Sequence, residues 1–157
     1  MIDAVDYKIL KILQKNARTT NAEIARKVGL APSAVFERIR KLEAQKVVEG
    51  YCARLNPDAL AKGLLAFIFV RTSEKVGGSR TATLLARLPE VLEVHNIAGE
   101  DCYLVKIRVA DTRALESVLR ERVGAIPSVR STRTTIVLKT FKDDAAIPLE
   151  SPERVGG

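Results

Sequence analysis

A capping box, a glycine and a proline, spaced across residues 20–46, constrain the fold of this chain more than any other feature. Thr20 and Glu23 are spaced so that each side chain can bond the other's backbone N–H and start a helix. Gly29 supplies the left-handed residue that ends this helix. Pro32 suits the first turn of a second helix, where the missing N–H has no cost. The stretch therefore predicts two short helices joined by a tight turn.

The second helix of this pair has one buried and one exposed side. Its apolar stripe consists of Val35, Ile39 and Leu42. At about 100° per residue the opposite side is polar and basic, as a helix in a DNA major groove requires. We therefore predict that double-stranded DNA is contacted from this side and from the helix start, by Pro32, Ser33, Ala34, Glu37, Arg40 and Lys41. Arg38 lies nearer the stripe and is expected to pair internally. A surface hairpin with a solvated charged face is the alternative.

Charge and composition narrow the class of protein. The net charge of +7 favours a polyanionic partner, and 46% hydrophobic residues are enough for a folded core. No apolar run approaches the roughly 20 residues of a membrane span, and no signal peptide precedes the charged start. We therefore expect a cytoplasmic protein without membrane contact. Cys52 and Cys102 lack metal-site spacing and the chain has one histidine, so neither a metal site nor another cofactor is predicted.

The first 55 residues are predicted to form a winged helix-turn-helix unit. An amphipathic helix capped by Asp3, with Asp6 in its first turn, precedes the helical pair. After the pair, residues 47–55 are rich in β-branched residues and predict a short strand or hairpin, the wing, which also links the two domains. Asn56-Pro57 marks a turn, and we place the domain boundary there.

Residues 56–142 have a different hydrophobic pattern from the first 55 residues. They predict an α+β domain of βαββαβ order, the ferredoxin-like split motif. Residues 64–72 are almost continuously apolar, and residues 103–109 alternate apolar with basic side chains, as a strand with one buried face does. Helices are predicted from Thr81 to Leu88 and after Asp111, and the last strand from Val129 to Phe141. Residues 143–157 contain two prolines and a terminal glycine pair, and a flexible tail is expected.

Four stretches make this chain resemble the Lrp/AsnC family of feast/famine transcription regulators. They are DYKILKILQKNAR at 6–18, EIARKVGLAPSAVFERIRKLEAQKVVEGY at 23–51, GEDCYLVKIRV at 99–109 and PSVRSTRTTIVLK at 127–139. The resemblance extends from Ile2 to about Lys142. It implies a regulator that binds DNA as a dimer, assembles further, often to an octamer, and senses a small molecule, typically an amino acid, through its second domain.

Three positions depart from the family pattern. Ala31 stands where a serine usually caps the recognition helix, and Lys46 stands where a glycine usually ends it. The family loop Gly-Asp-x-Asp-Tyr has Cys102 in place of its second acid. A glycine turn brings backbone N–H groups close to a carboxylate, and a nearby acid pairs with an ammonium group. The residues predicted to bind the amino-acid effector are Gly99, Glu100, Asp101, Cys102, Tyr103, Thr132 and Thr134. The alternative for this loop is a tight turn beside threonines that serve only β-structure.

Two other functions remain open. Tetrapyrrole decarboxylases share this two-part architecture, but His95 is the only histidine and no nucleophile motif accompanies it. We therefore predict no catalytic residues and no enzyme. A nucleoid-type architectural protein, which binds DNA without an effector, is the second alternative, and a degenerate effector loop would favour it.

Overall fold

A computed structural model describes residues 2–75 and 77–150. These residues fall into two compact units, one formed by residues 2–54 with 142–150 and the other by residues 55–141. Within the described ranges, no helix has the length and apolar character needed to cross a membrane.

Three helices form the first unit: α1 (Ala4–Lys15), α2 (Asn21–Val28) and α3 (Pro32–Ala44). The predicted capping box at the start of α2 is present in both directions, since Thr20 Oγ1 accepts from the N–H of Glu23 and Glu23 Oε2 accepts from the N–H of Thr20. Gly29 ends α2 with φ 74°. The predicted caps are therefore confirmed. The helices enclose a core of Ile9, Leu13, Ile24, Ala25 and Val35.

The ends of α3 reflect two of the departures from the family pattern. Ala31 provides no side-chain hydrogen bond at the helix start. At the other end Lys46 has φ 58°, a left-handed conformation that costs a residue with a Cβ about 1–2 kcal/mol. The chain therefore keeps the turn that a glycine would favour and carries the strain on lysine.

The predicted wing strand over residues 47–55 is not formed, and this prediction is wrong. A strand needs a partner for its backbone groups, and no segment of the described chain pairs with this one. Instead, the N–H groups of Val47 and Val48 donate to the carbonyl of Leu42 at 2.9 and 3.2 Å. The hydroxyl of Tyr51 donates to Glu43 at 2.9 Å. Burial of Tyr51 and this bond raise its pKa to about 12.

The tail is hydrogen-bonded to α1 at one residue, Ile147. Residues 143–150 have no regular secondary structure, but the Gln14 side chain of α1 donates to the carbonyl of Ile147 at 3.1 Å and accepts from its N–H at 2.7 Å. Ile147 is therefore hydrogen-bonded to α1, and the flexibility of the tail stays a prediction. The rest of the predicted tail, residues 151–157, lies outside the described residues.

The second unit has the predicted βαββαβ order. Its elements are β1 (Leu64–Thr72), α4 (Arg80–Ala86), β2 (Val91–Asn96), β3 (Tyr103–Val109), α5 (Thr112–Ser117) and β4 (Val129–Ile136). A π-helical segment, Val118–Val123, continues α5. Asp111 caps α5 as predicted, by accepting from the N–H of Ala114 at 2.8 Å. The strands form one antiparallel sheet in the order β2-β3-β1-β4.

The sheet has one face in the core and one open face. The alternation predicted for β3 is confirmed, since Tyr103, Val105, Ile107 and Val109 are buried. Together with Ala66, Ile68 and Val70 of β1 they pack against buried side chains of α4, α5 and the π-helical segment. The last strand was predicted to reach Phe141 but ends at Ile136. Because β4 runs antiparallel to β1, its C-terminal end lies beside the first residues of β1. The last backbone hydrogen bond between the two strands runs from the N–H of Val137 to the carbonyl of Leu65.

Candidate functional sites

The outer side of α3 is exposed as predicted. Ser33, Glu37, Arg40 and Lys41 are exposed, whereas Val35 and Leu42 of the opposite stripe are buried. Pro32 is exposed at the first turn, and Ala34 is half-buried. Nη1 of Arg40 lies 3.9 Å from Oε1 of Glu37, and 71% and 65% of these side chains are exposed. This ion pair is therefore weak and easily opened. The guanidinium and ammonium groups of this face are therefore available to phosphates and base edges.

Phe36, which was not among the predicted DNA-contacting residues, also belongs to this exposed side. Its residue surface is 52% exposed, next to Glu37 and one turn before Arg40. An aromatic ring suggests a core position, and helical periodicity alone places Phe36 only at the edge of the outer face. If this helix lies in a major groove, as predicted, such a ring can contact a thymine methyl group.

Arg38 pairs internally, as expected. Its Nη1 lies 2.6 Å from Asp3 and 2.7 Å from Asp6. Because Asp3 and Asp6 also form the capping box of α1, this one guanidinium joins α3 to the start of α1. The backbone N–H of Asp6, followed by the Arg38 guanidinium, lowers the pKa of Asp3. Arg38 therefore positions the recognition helix rather than presenting its charge to a ligand.

Replacing Arg38 with alanine is expected to lower the free energy of unfolding by about 1–2 kcal/mol. A third of the Arg38 side chain is exposed to solvent, so the loss is smaller than for a fully buried pair. Asp6, which is only 8% exposed, would lose its partner. Urea denaturation measures the change. The part of this contribution that comes from Asp3 is fully present above the unfolded pKa of Asp3 and is lost as the pH falls through its lower folded pKa, so that the difference between wild type and variant should narrow in acid. Equal stability at neutral pH would contradict this role.

A cavity of about 290 Å³ lies between the loop after β1 and the loop that joins β2 to β3. Four of the seven predicted effector residues line this loop cavity: Gly99, Asp101, Cys102 and Tyr103. Its volume is at the lower end of the roughly 300–1,000 Å³ of small-molecule sites, which suits a ligand of amino-acid size. Gly99 has φ 124°, a conformation that favours glycine. The tight turn thus also forms part of a cavity wall.

The other three predicted effector residues do not line the loop cavity. Glu100 points away and pairs with Arg71 at 2.9 Å, with 90% of its side chain exposed. Thr132 lies opposite Val70, which in turn lies opposite Tyr103. Two strand spacings, about 10 Å, therefore separate Thr132 from Tyr103. Thr134 is equally far from β3, so within one chain the threonines cannot join the loop in a single small site.

Glu74 also lines this cavity, although it was not among the predicted effector residues. Its carboxylate accepts from the N–H groups of Arg80 and Thr81, at 2.8 and 3.2 Å. The Tyr103 hydroxyl is shared between this carboxylate, at 3.3 Å, and the Gly78 carbonyl, at 3.0 Å. Burial acts to raise the pKa of Glu74, but the hydrogen bonds from Thr81, Arg80 and Tyr103 outweigh it and lower the pKa. The carboxylate is thus ionised at neutral pH. No local motif identifies Glu74, because it meets Tyr103 only through the fold.

The open face of the sheet is apolar at its centre and charged at its edges. Phe67, Phe69 and Leu104 are half-buried there. The Arg133 guanidinium lies 3.9 Å above the Phe69 ring and also pairs with Asp101 at 3.1 Å. This ion pair connects the loop cavity to the open face.

The described residues contain no group of side chains suited to a metal ion. His95 is exposed and lies 3.1 Å from Glu93, on the open side of β2. Cys102 is half-buried in the cavity wall and is a free thiol. No nucleophile accompanies either residue among the contacts of the described chain.

A helical unit with an exposed basic recognition helix, followed by a βαββαβ unit with a small cavity, has the parts that a ligand-responsive DNA-binding regulator requires. The AsnC-type helix-turn-helix domain matches residues 2–43, and the Lrp/AsnC ligand binding domain matches residues 65–147. The chain belongs to the Lrp/AsnC family of transcriptional regulators.

Individual relatives agree over almost the whole chain. The HTH-type transcriptional regulator FL11 of Pyrococcus horikoshii is 40% identical over 150 residues, 95% of this chain and 97% of that protein. The leucine-responsive regulatory protein of Escherichia coli is 34% identical over 96% of this chain and 93% of its own length. A Neisseria meningitidis transcriptional regulator, solved as a complex with L-Met, superposes with a TM-score of 0.89 at 32% identity, over 94% of this chain and 97% of that one. The protein is a DNA-binding transcriptional regulator and not an enzyme, which removes the decarboxylase alternative.

Proposed function

We propose that this protein binds specific duplex DNA as a dimer through the outer side of α3, and that an amino acid in the loop cavity modulates this binding. The observation that carries the proposal is that the polar and basic side chains of α3 are exposed on the side opposite its buried apolar stripe. Arg40 and Lys41 would contact phosphates or base edges, while Ser33 and Ala34 lie near the bases with Pro32 at the helix start. Glu37 can accept a hydrogen bond from a cytosine amino group.

An amino-acid effector fits the chemistry of the loop cavity. The N–H groups of Gly99, Glu100 and Asp101 donate to no acceptor among the described residues, and such a run of backbone donors suits a carboxylate. The relative from N. meningitidis was solved with L-Met, an amino acid whose size is compatible with the cavity. Thr132 and Thr134 would contribute only from a neighbouring copy, because they lie two strands from Tyr103.

Self-association is part of the proposed function. The open sheet face presents Phe67, Phe69 and Leu104, and a second copy would cover the same face by two-fold symmetry. A dimer could place its two recognition helices in successive major grooves, about 34 Å apart, on a near-palindromic operator. Further assembly to an octamer rests on the family resemblance.

A screen of the twenty amino acids tests the effector. A ligand at a hundredfold excess over its Kd should stabilise the folded protein by roughly 2.7 kcal/mol and raise its melting temperature. The same ligand should change the affinity for a DNA site selected from a random library, measured by fluorescence anisotropy at fixed salt. If no amino acid alters melting temperature, oligomeric state or DNA affinity, the effector role fails and an architectural DNA-binding protein without effector is favoured.

A further inference from the structure

The acids around the loop cavity differ in whether they have a cationic partner. Asp101 is paired with Arg133 at 3.1 Å, and Glu100 is paired with Arg71 outside the cavity. Glu74 lines the cavity, and among residues 2–75 and 77–150 no arginine, lysine or histidine lies within ion-pair distance of it. Its hydrogen-bond donors are backbone amides and hydroxyl groups, all neutral. The negative charge of Glu74 is therefore held in place but not compensated.

The hydrogen bonds of Glu74 hold its carboxylate in place without neutralising its charge. Two backbone amides donate to it, the Tyr103 hydroxyl is shared between Glu74 and the Gly78 carbonyl, and the Thr81 hydroxyl also lowers its pKa. Because the backbone at the start of α4 fixes the carboxylate, little side-chain entropy would be lost on binding a cation. A preorganised, partly desolvated carboxylate is a strong partner for an ammonium group.

The loop that joins β2 to β3 supplies groups of the complementary character. Gly99 and Asp101 line the cavity, and their N–H groups donate to no acceptor among the described residues; Lys75 lines the cavity as well. The cavity thus has one site for a negative and one for a positive group, as the two charges of an α-amino acid require. A ligand with a carboxylate alone would leave Glu74 uncompensated.

We propose that Glu74 is the residue that binds the ammonium group of the effector, and that it makes the loop cavity selective for α-amino acids over the corresponding 2-hydroxy acids. This inference rests on the proposed function of the cavity. Asp101, which is engaged by Arg133, positions the loop and does not bind the ammonium group.

The test compares an amino acid with its hydroxy analogue in matched variants of the full chain. L-methionine and L-leucine are the probes, each paired with the 2-hydroxy acid of the same side chain, and affinities are measured by calorimetry. We expect the wild type to bind the amino acid about tenfold to a hundredfold more tightly than the hydroxy acid. Glu74→Gln should lose this preference while retaining its affinity for the hydroxy acid. Asp101→Asn, which tests the other acid of the cavity, should keep the preference.

The outcomes separate this inference from the proposed function. If neither amino acid binds to the wild type, binding of these amino acids in the cavity fails, and the role of Glu74 fails with it. If the wild type binds one and Glu74→Gln keeps the full preference, only the assignment of Glu74 is overturned. Loss of preference in Asp101→Asn instead would place the ammonium group at Asp101.

A folding defect would not imitate the expected result. Glu74 also caps α4, and an unstable variant would lose affinity for both ligands together, so the ratio within one variant decides. Should Glu74→Gln fail to fold, Glu74→Asp keeps the charge on a shorter side chain. It should then lose more affinity for the amino acid than for the hydroxy acid, and an equal loss of both would overturn the inference.

Discussion

Replacing both Arg40 and Lys41 with alanine is expected to weaken binding to the selected DNA site by roughly a hundredfold, about 3 kcal/mol. Both side chains are exposed on the outer side of α3, and neither has a strong partner within the described chain. If both neutralise phosphates, the slope of log K against log salt should also fall by roughly 2. Fluorescence anisotropy across a salt series measures both changes.

The control for this variant is Lys8→Ala with Lys11→Ala. It also removes two positive charges, but from α1 of the same unit, where both lysines are exposed. We expect the control to lower affinity only slightly through the long-range field. A folded Arg40/Lys41 variant with wild-type affinity would exclude this side of α3 as the DNA-contacting surface. Equal losses in the two variants would mean that charge alone, not position, determines binding.

Replacing Phe67 with aspartate is expected to dissociate the dimer, with a loss of at least about 4 kcal/mol. Phe67 lies at the centre of the open sheet face, between Lys106 and Thr135 on the neighbouring strands. In a two-fold interface each substitution occurs twice, so the loss of two aromatic rings and the burial of two carboxylates add up. Lys106 is already paired with Glu93 at 2.9 Å and therefore only partly compensates the new charge.

Sedimentation at micromolar concentration measures this change. Phe67 belongs to the face opposite the core cluster, so the variant subunit should stay folded by circular dichroism. Phe36→Asp makes the same chemical change on α3 and should leave the dimer intact. A wild type that sediments only as monomer would exclude the open face as a dimer interface, and a dimeric, folded Phe67→Asp variant would place the interface elsewhere.

Local contacts explain which parts of the fold could be predicted. The capping box of Thr20 and Glu23 joins residues three positions apart, and the alternation of β3 is a property of seven consecutive residues. Such features need no knowledge of the rest of the chain. The positive φ of Lys46 likewise follows a turn that the family pattern assigns to glycine. Element order and buried faces were therefore accessible from the sequence.

The wing and the end of β4 could not be predicted from local composition. Residues 47–55 have the composition of a strand, yet strand formation depends on a second segment, which the described chain does not supply. The last strand has β-rich composition up to Phe141, but it ends where its neighbour β1 begins. In both cases the outcome depended on a partner strand, which the composition of the segment itself does not specify.

The sequence by itself determined the helix caps at Asp3, Thr20, Gly29 and Asp111, the exposed side of α3, the βαββαβ order and the loop that carries Gly99. Tertiary structure alone decided which of these residues meet. It separated Thr132 from Tyr103 by an intervening strand, turned Glu100 toward Arg71, and brought Glu74 to the Tyr103 hydroxyl from 29 positions away. The physical reason is that helix caps and strand alternation arise from neighbours in the chain, whereas a binding cavity is formed by loops that only the packing of the sheet brings together.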